Sequence, residues 1–126
     1  LEDVILKPDS AKNADELRLG EMLEFIHENF TRNISLSDIA DVAGISEREA
    51  LRCFKRTIGE SPVQYLVKHR LMQSAYMLLT QPDISVSEVA ANCGFDSPAY
   101  YAKRFKELYR CAPRDYRKHI LSRVTV

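Results

Sequence analysis

The chain has 126 residues, 45% hydrophobic and 29% charged, with 18 basic and 18 acidic side chains cancelling to no net charge. That is the size of one domain or two small subdomains of ordinary globular composition, with no run of 18 apolar residues to cross a membrane. Cys53, Cys93 and Cys111 are odd in number and unpaired in spacing, which argues against a disulfide framework or zinc knuckle and fits buried thiols in a reducing, cytoplasmic setting.

Residues 1–13 carry Pro8, Asp9 and Ser10 without periodicity and read as a tether. The chain shows no secretory leader and begins at Leu1 without methionine, the pattern expected of a piece cut from a longer chain. A helix follows from Ala14 to Asn29, with Asn13 and Glu16 at cap spacing and Leu19, Leu23, Ile26 and Phe30 as its apolar stripe. Ser35 with Asp38 and Ser46 with Glu49 are capping-box patterns that open two short helices separated by Gly44. Pro62 starts a longer helix, with Tyr65, Leu66, His69, Met72, Ala75, Tyr76 and Leu79 at packing intervals, ended by Gln81-Pro82-Asp83.

The chain then repeats itself. Ile84-Ser85-Val86-Ser87-Glu88-Val89-Ala90 matches Ile34-Ser35-Leu36-Ser37-Asp38-Ile39-Ala40 in type at every position, and Gly94 answers Gly44. Beyond the glycines the register slips by one: Phe105-Lys106 answers Phe54-Lys55, Pro113 answers Pro62, and Tyr116 answers Tyr65. Two copies are too few for a solenoid, which stacks three or more repeats, so the unit is used twice for one task. Ala40 and Ala90 leave room for a steep helix crossing, and Gly44 and Gly94 provide the positive φ of a tight turn. Ile39, Ile45, Ala50 and Phe54 face inward in the first copy, and Val89, Phe95, Tyr101 and Phe105 in the second. The expected class is all-α: about seven helices forming two helix-turn-helix subdomains, residues 14–61 and 81–123, joined by a linker helix over 62–80.

Charge is uneven along this plan. Residues 1–30 hold eight acids and three bases, whereas Lys103 to Arg123 hold eight bases and two acids. Such a basic end suits either a phosphate backbone or simple solvation.

These residues carry a resemblance. Ile84 to Ala90, Cys93-Gly94-Phe95, Tyr100-Tyr101, Phe105-Lys106 and Pro113-Arg114-Asp115-Tyr116-Arg117, with their first-copy counterparts, make residues 16–121 similar to the C-terminal DNA-binding domain of the AraC/XylS family of bacterial transcription regulators. The resemblance implies two homeodomain-like three-helix units joined by a long helix. It also implies double-stranded DNA beside a promoter and RNA polymerase as partners, activation as the usual outcome, and an effector or dimerisation domain upstream. Its base-reading positions fall on Arg48, Glu49, Leu51 and Arg52, and on Pro98, Ala99, Tyr100 and Lys103.

The second helix of each motif, about 47–57 and about 97–108, is the one expected in the major groove. Outward positions are Glu47, Arg48, Leu51, Arg52, Lys55 and Arg56 in copy one, and Pro98, Ala99, Ala102, Lys103, Lys106 and Glu107 in copy two. Arg48 and Arg52 suit bidentate contacts to guanine, and Leu51 suits either a thymine methyl or packing. Copy two offers only Lys103 as a strong base-edge donor, so copy one is expected to read sequence and copy two to hold the backbone. Candidate phosphate contacts are Ser35, Ser46, Lys55, Arg56, Ser85, Ser97, Arg104, Lys106 and Arg110. A linker of about 17 residues spans roughly 25 Å, against about 34 Å between successive major grooves on one face.

His27, His69 and His119 lack ligand spacing, and no metal or cofactor is expected. The run Arg114 to Lys118 reads as a solvated basic helix touching phosphates, and Glu16, Glu21, Glu24 and Glu28 as a solvent face. No nucleophile with a base, phosphate loop or carboxylate pair suggests an enzyme. The alternative is a helical module that binds protein without reading DNA.

Overall fold

The first helix starts earlier than its apolar pattern. The computed structural model describes residues 10–124, with side chains from 13 to 123, and α1 spans Ser10–Asn29. Asn13 therefore lies inside α1 and does not cap it, because Ala11 and Lys12 are good helix formers that carry the helix a turn further back. The part of the expected tether before Ser10 lies outside the described residues. Next come α2 (Leu36–Val42), α3 (Glu47–Thr57), α4 (Pro62–Thr80), α5 (Val86–Asn92), α6 (Pro98–Tyr109) and α7 (Pro113–Val124), with no strand among the described residues.

The chain divides into two units. The first holds the described residues up to Asn29 together with Ile34–Tyr65, and the second holds Phe30–Asn33 and the residues from Leu66 onward. α4 begins in the first and continues into the second.

In unit 1, α1, α2 and α3 pack on one another around Met22, Ile26, Ile39, Ala50 and Phe54, all at 0% exposure. Burying a side chain such as Phe54 contributes about 1.5–3 kcal/mol. The buried face of α1 is rotated from the expected stripe: Leu19 and Leu23 are half-buried, while Asp15 and Met22 are inside with Ile26. Asp15 turns inward because α3 offers it partners. Arg56 Nη1 donates to Asp15 Oδ2 at 2.8 Å, and the Cys53 thiol lies 3.4 Å from the Asp15 carbonyl oxygen as donor. Ile45, expected inside, is only partly covered.

Unit 2 repeats this arrangement with a larger aromatic core. Tyr101 meets Phe95 at 4.9 Å and Phe105 at 5.7 Å between ring centroids, and Phe105 continues to Tyr109 at 4.6 Å. Edge contacts preserve the repeat: Tyr116 meets Phe105 at 5.4 Å and 78°, as Tyr65 meets Phe54 at 6.0 Å and 62° in unit 1. Val67, Leu71, Ala75 and Leu78 of α4 join this core. Met72 and Tyr76, expected to pack, are 51% and 68% exposed. The face of α4 is instead set by Ser74, wholly buried, whose hydroxyl accepts from Tyr101 Oη at 3.0 Å and donates to the Leu71 carbonyl at 2.7 Å. A buried serine breaks the apolar pattern from which the face was inferred.

Both turns have the same wiring. The Ala40 carbonyl accepts from the N–H of Ala43 and Ile45, and the Ala90 carbonyl from Cys93 and Phe95, all at 3.0–3.2 Å. Ile45 therefore aligns with Phe95, while the next helix caps align Ser46 with Ser97. The extra residue of the second copy is Asp96. Gly44 has φ +66° in open space, whereas Gly94 has φ +95° with its missing Cβ position 2.6 Å from the Phe30 carbonyl oxygen and 2.8 Å from Arg70 Nε.

Gly44→Ala should cost about 1–2 kcal/mol from the left-handed backbone alone. Gly94→Ala adds overpacking and should cost about 2–5 kcal/mol in urea denaturation; equal costs would contradict the close approach at Gly94. Burial also pushes the Cys93 thiol up to about 11 from 9.0 and the Tyr101 phenol up to about 12 from 10.0, keeping both neutral in the fold. Their contribution is complete below the unfolded values of 9.0 and 10.0 and is lost as pH rises through about 11 and about 12. Urea midpoints should fall across that window, and Tyr101→Phe should flatten the upper part of the fall.

Candidate nucleic-acid interface

Serines start all four short helices of the two motifs. Ser35, Ser46, Ser85 and Ser97 each accept, through Oγ, the N–H three residues on, at 3.0–3.2 Å. Their hydroxyl hydrogens are not consumed by that bond, and all four residues are exposed at helix N-termini, where an anion is favoured. Asp38 and Glu88 return a carboxylate to the serine N–H at 2.9 and 3.2 Å, completing the expected boxes. Ser46 and Glu49 have the spacing of a box and do not complete it.

Glu49 is engaged elsewhere. Arg52 Nε donates to Glu49 Oε1 at 2.9 Å and Arg52 Nη2 to Glu49 Oε2 at 2.8 Å, a two-bond fork on the surface of α3. The Arg52 hydrogen bond holds the Glu49 carboxyl below the usual carboxylate range. Glu47, Arg48 and Lys55 are exposed on the same helix, and Leu51, at 39% exposure, lies outward with them and outside the core. Arg56 is exposed at its tip yet tethered by one nitrogen to buried Asp15. The structure therefore groups Glu47, Arg48, Glu49, Leu51 and Arg52 on one helix of unit 1.

On α6, Pro98, Ala99, Tyr100 and Lys103 are exposed. Tyr100 is occupied: Arg104 Nη1 donates to its hydroxyl at 2.9 Å, and Arg104 Nε lies 3.1 Å from Glu107 Oε1. Lys103, Lys106, Glu107 and Arg110 line a shallow surface depression. Arg110 closes α6 with φ 67°, where the aligned residue of unit 1 is Gly59 at φ 89°. It is the one non-glycine residue with positive φ among those described, a conformation costly for a side chain.

Two arginines do structural work that their charge concealed. Arg70 donates to the carbonyls of Phe30 and Arg32, each at 2.7 Å, and desolvation holds its pKa below the ordinary value. Arg117, read from sequence as part of a phosphate-facing run, instead donates to the carbonyls of Leu78, Ile84 and Gln81 at 2.9, 2.8 and 3.2 Å. It ties the end of α4 to the start of the second copy because those carbonyls lack helical partners. Cys53 and Cys93 are buried thiols, and Cys111 is half-buried. His27 Nε2 lies 2.7 Å from the Tyr65 hydroxyl, and His69 packs edge-on to Phe30 at 4.9 Å. Glu16, Glu21, Glu24 and Glu28 are exposed along α1. No helix among the described residues is long and apolar enough to cross a membrane.

A helix-turn-helix domain family matches residues 39–119, which include both motifs. The chain belongs to the AraC/XylS family. This is a family of DNA-binding transcription regulators and not a class of enzymes. The chain is 32% identical to the helix-turn-helix regulator YdeC of Bacillus subtilis over 90% of its own length and 38% of that protein's. It is 34% identical to GbdR of Pseudomonas aeruginosa over 80% of its own length and 27% of GbdR's. It thus spans about a third of the length of these relatives.

Solved structures agree with the fold. An AraC-type regulator of Chromobacterium violaceum superposes with a TM-score of 0.76 at 28% identity, over 82% of this chain and 91% of that one. The DNA-binding domain of AdpA, a global transcriptional factor crystallised with target DNA, gives 0.79 at 31% identity, over 83% and 94%.

Within this AraC/XylS domain, the strain at Arg110 yields a measurable expectation. Arg110→Gly should raise stability by about 0.5–1 kcal/mol by relieving the left-handed backbone, read as an increase in urea midpoint. A decrease would mean that the Arg110 side chain itself supports the fold.

Proposed function

We propose that the chain binds double-stranded DNA in a sequence-specific manner, with α3 and α6 entering successive major grooves. The observation that carries this reading is the grouping of Arg48, Leu51 and Arg52, all exposed, on the second helix of a helix-turn-helix. That helix is the groove-entering element of such motifs, and its early residues meet base edges. Support comes also from AdpA, whose domain was solved on its target DNA.

The two helices divide the task. α3 carries guanidinium groups suited to guanine O6 and N7, a contact worth about 1–3 kcal/mol of discrimination. α6 has Tyr100 and Arg104 tied to each other, leaving Lys103 as its base-edge donor and Lys106 and Arg110 as positive charges for phosphates. Ser35, Ser46, Ser85 and Ser97 add hydroxyl and helix N-terminal contacts, and Lys55, Arg56 and Arg104 further positive charge. The subdomain limits 14–61, 62–80 and 81–123 belong to this proposal. So does activation of transcription, supported by RhaS of an Enterobacter species, a transcriptional activator at 29% identity, and RNA polymerase as the partner of that activation. An effector or dimerisation domain upstream of residue 1, and action in the cytoplasm, complete it.

Fluorescence anisotropy on a selected duplex and its scrambled counterpart, across a salt series, tests the proposal. Affinity should fall steeply with salt and favour the selected duplex. Arg52→Ala should relax preference at one or two base pairs, whereas Lys106→Ala should weaken both duplexes alike and reduce the salt slope by about 1. Salt-insensitive association without preference would favour a protein-binding module, and equal effects of both substitutions on both duplexes would remove the division of labour.

A further inference from the structure

We infer that Glu49 is a positioning residue for Arg52, presenting its guanidinium to a guanine, and does not itself read a base. The inference rests on the proposal that α3 enters the major groove. Its basis is the two-bond fork between these side chains. Both Glu49 oxygens are taken by Nε and Nη2 of Arg52, the inner edge of the guanidinium. Nη1 and the outer hydrogen of Nη2 remain, and they form the second edge of the same plane. That edge has the spacing to meet guanine O6 and N7 together.

An independent observation shows what Glu49 forgoes. It occupies the third position of a helix begun by a serine, the place from which Asp38 and Glu88 return to their serine N–H groups. Glu49 accepts no bond from the Ser46 N–H, although the Ser46 hydroxyl accepts from its amide at 3.2 Å. The third short helix start of identical design thus leaves its carboxylate with Arg52. The aligned pair in unit 2 is Tyr100 and Lys103, which has neither a carboxylate nor a guanidinium fork.

The arrangement has a physical use at a DNA surface. An ionised carboxylate there repels phosphates unless it is neutralised at short range, and the fork does this. Both side chains are well exposed, 40% for Glu49 and 46% for Arg52, so the pair adds little to stability in water. Its effect is on orientation: a long side chain held in one geometry before binding has less freedom to lose when it meets the base.

Selection from randomised duplexes, followed by competition binding, should be run on the chain and on Glu49→Ala, Glu49→Gln, Arg52→Ala and the double variant. The chain should prefer guanine at one position that Arg52→Ala relaxes. Glu49→Ala should lower the preference at that same position by about three- to tenfold, change no other position, and have no further effect in the Arg52→Ala background. Glu49→Gln, which keeps an acceptor oxygen, should fall between. Thermal unfolding should be unchanged in each. The inference is overturned if Glu49→Ala alters a base pair that Arg52→Ala leaves alone, with additive effects, since Glu49 would then read a base itself. It is also overturned if the chain selects a sequence and Glu49→Ala leaves that selection intact. Absence of any selection by the unaltered chain would overturn the groove-reading proposal along with it.

Discussion

One carbonyl oxygen in each unit sets the direction of the helix that follows it. The Ala40 oxygen accepts from Ala43 and Ile45, and the Ala90 oxygen from Cys93 and Phe95, so the end of one helix and the approach to the next are tied to the same atom. The chain must reverse within that span, which is why Gly44 and Gly94 carry positive φ. Small residues at Ala40 and Ala90, each 1% exposed, let the second helix cross closely enough to bury Phe54 and Phe105. With those phenylalanines fixed inward, helical periodicity turns Arg48 and Arg52, or Ala99 and Lys103, outward. The surface chemistry of both motifs depends on that turn.

The same frame is finished differently in the two units. Unit 1 places an ion pair under α3, Asp15 with Arg56, and another on top of it, Glu49 with Arg52. Unit 2 fills its interior with Tyr101, Phe105 and the rings packed against them, and uses Arg70 and Arg117 to collect backbone carbonyls. An arginine is suited to this because its five N–H groups satisfy several acceptors from one side chain. The Arg117 contacts join the end of α4 to Ile84, where the second copy begins.

Much of this order is readable from residues whose effect is local. Serine caps, turn glycines and prolines act within four residues of themselves, so Ser35, Ser85, Gly44, Pro62 and Pro113 mark element ends without knowledge of the fold. The inward faces of the motifs were equally legible, since Ala50, Phe54, Tyr101 and Phe105 keep a helical period. What depends on partners distant in sequence was not. Asp15 is buried because Arg56 lies 41 positions away, and Ser74 because Tyr101 lies 27 away. Their polarity argued for the surface, which rotated the expected faces of α1 and α4. Arg117 misled in the same direction, since a guanidinium that serves carbonyls looks in sequence like one that serves phosphates. At the candidate site the residues were legible but their pairing was not: Glu49 satisfied a capping pattern and a side-chain pair equally well on paper.

The location of Asp96 has a consequence for how such motifs change over time. The second copy is longer by one residue, yet the surplus falls between the turn and the serine that starts α6, so neither the turn wiring nor the helix register is disturbed. The serine is a seam: what lies before it is scaffold, and what lies after it keeps a common numbering from Ser46 and Ser97 onward. Outward side chains past that seam are interchangeable between the two units in principle, as letters on a common line. A duplicated domain built this way has two places to revise its text without redrafting its grammar.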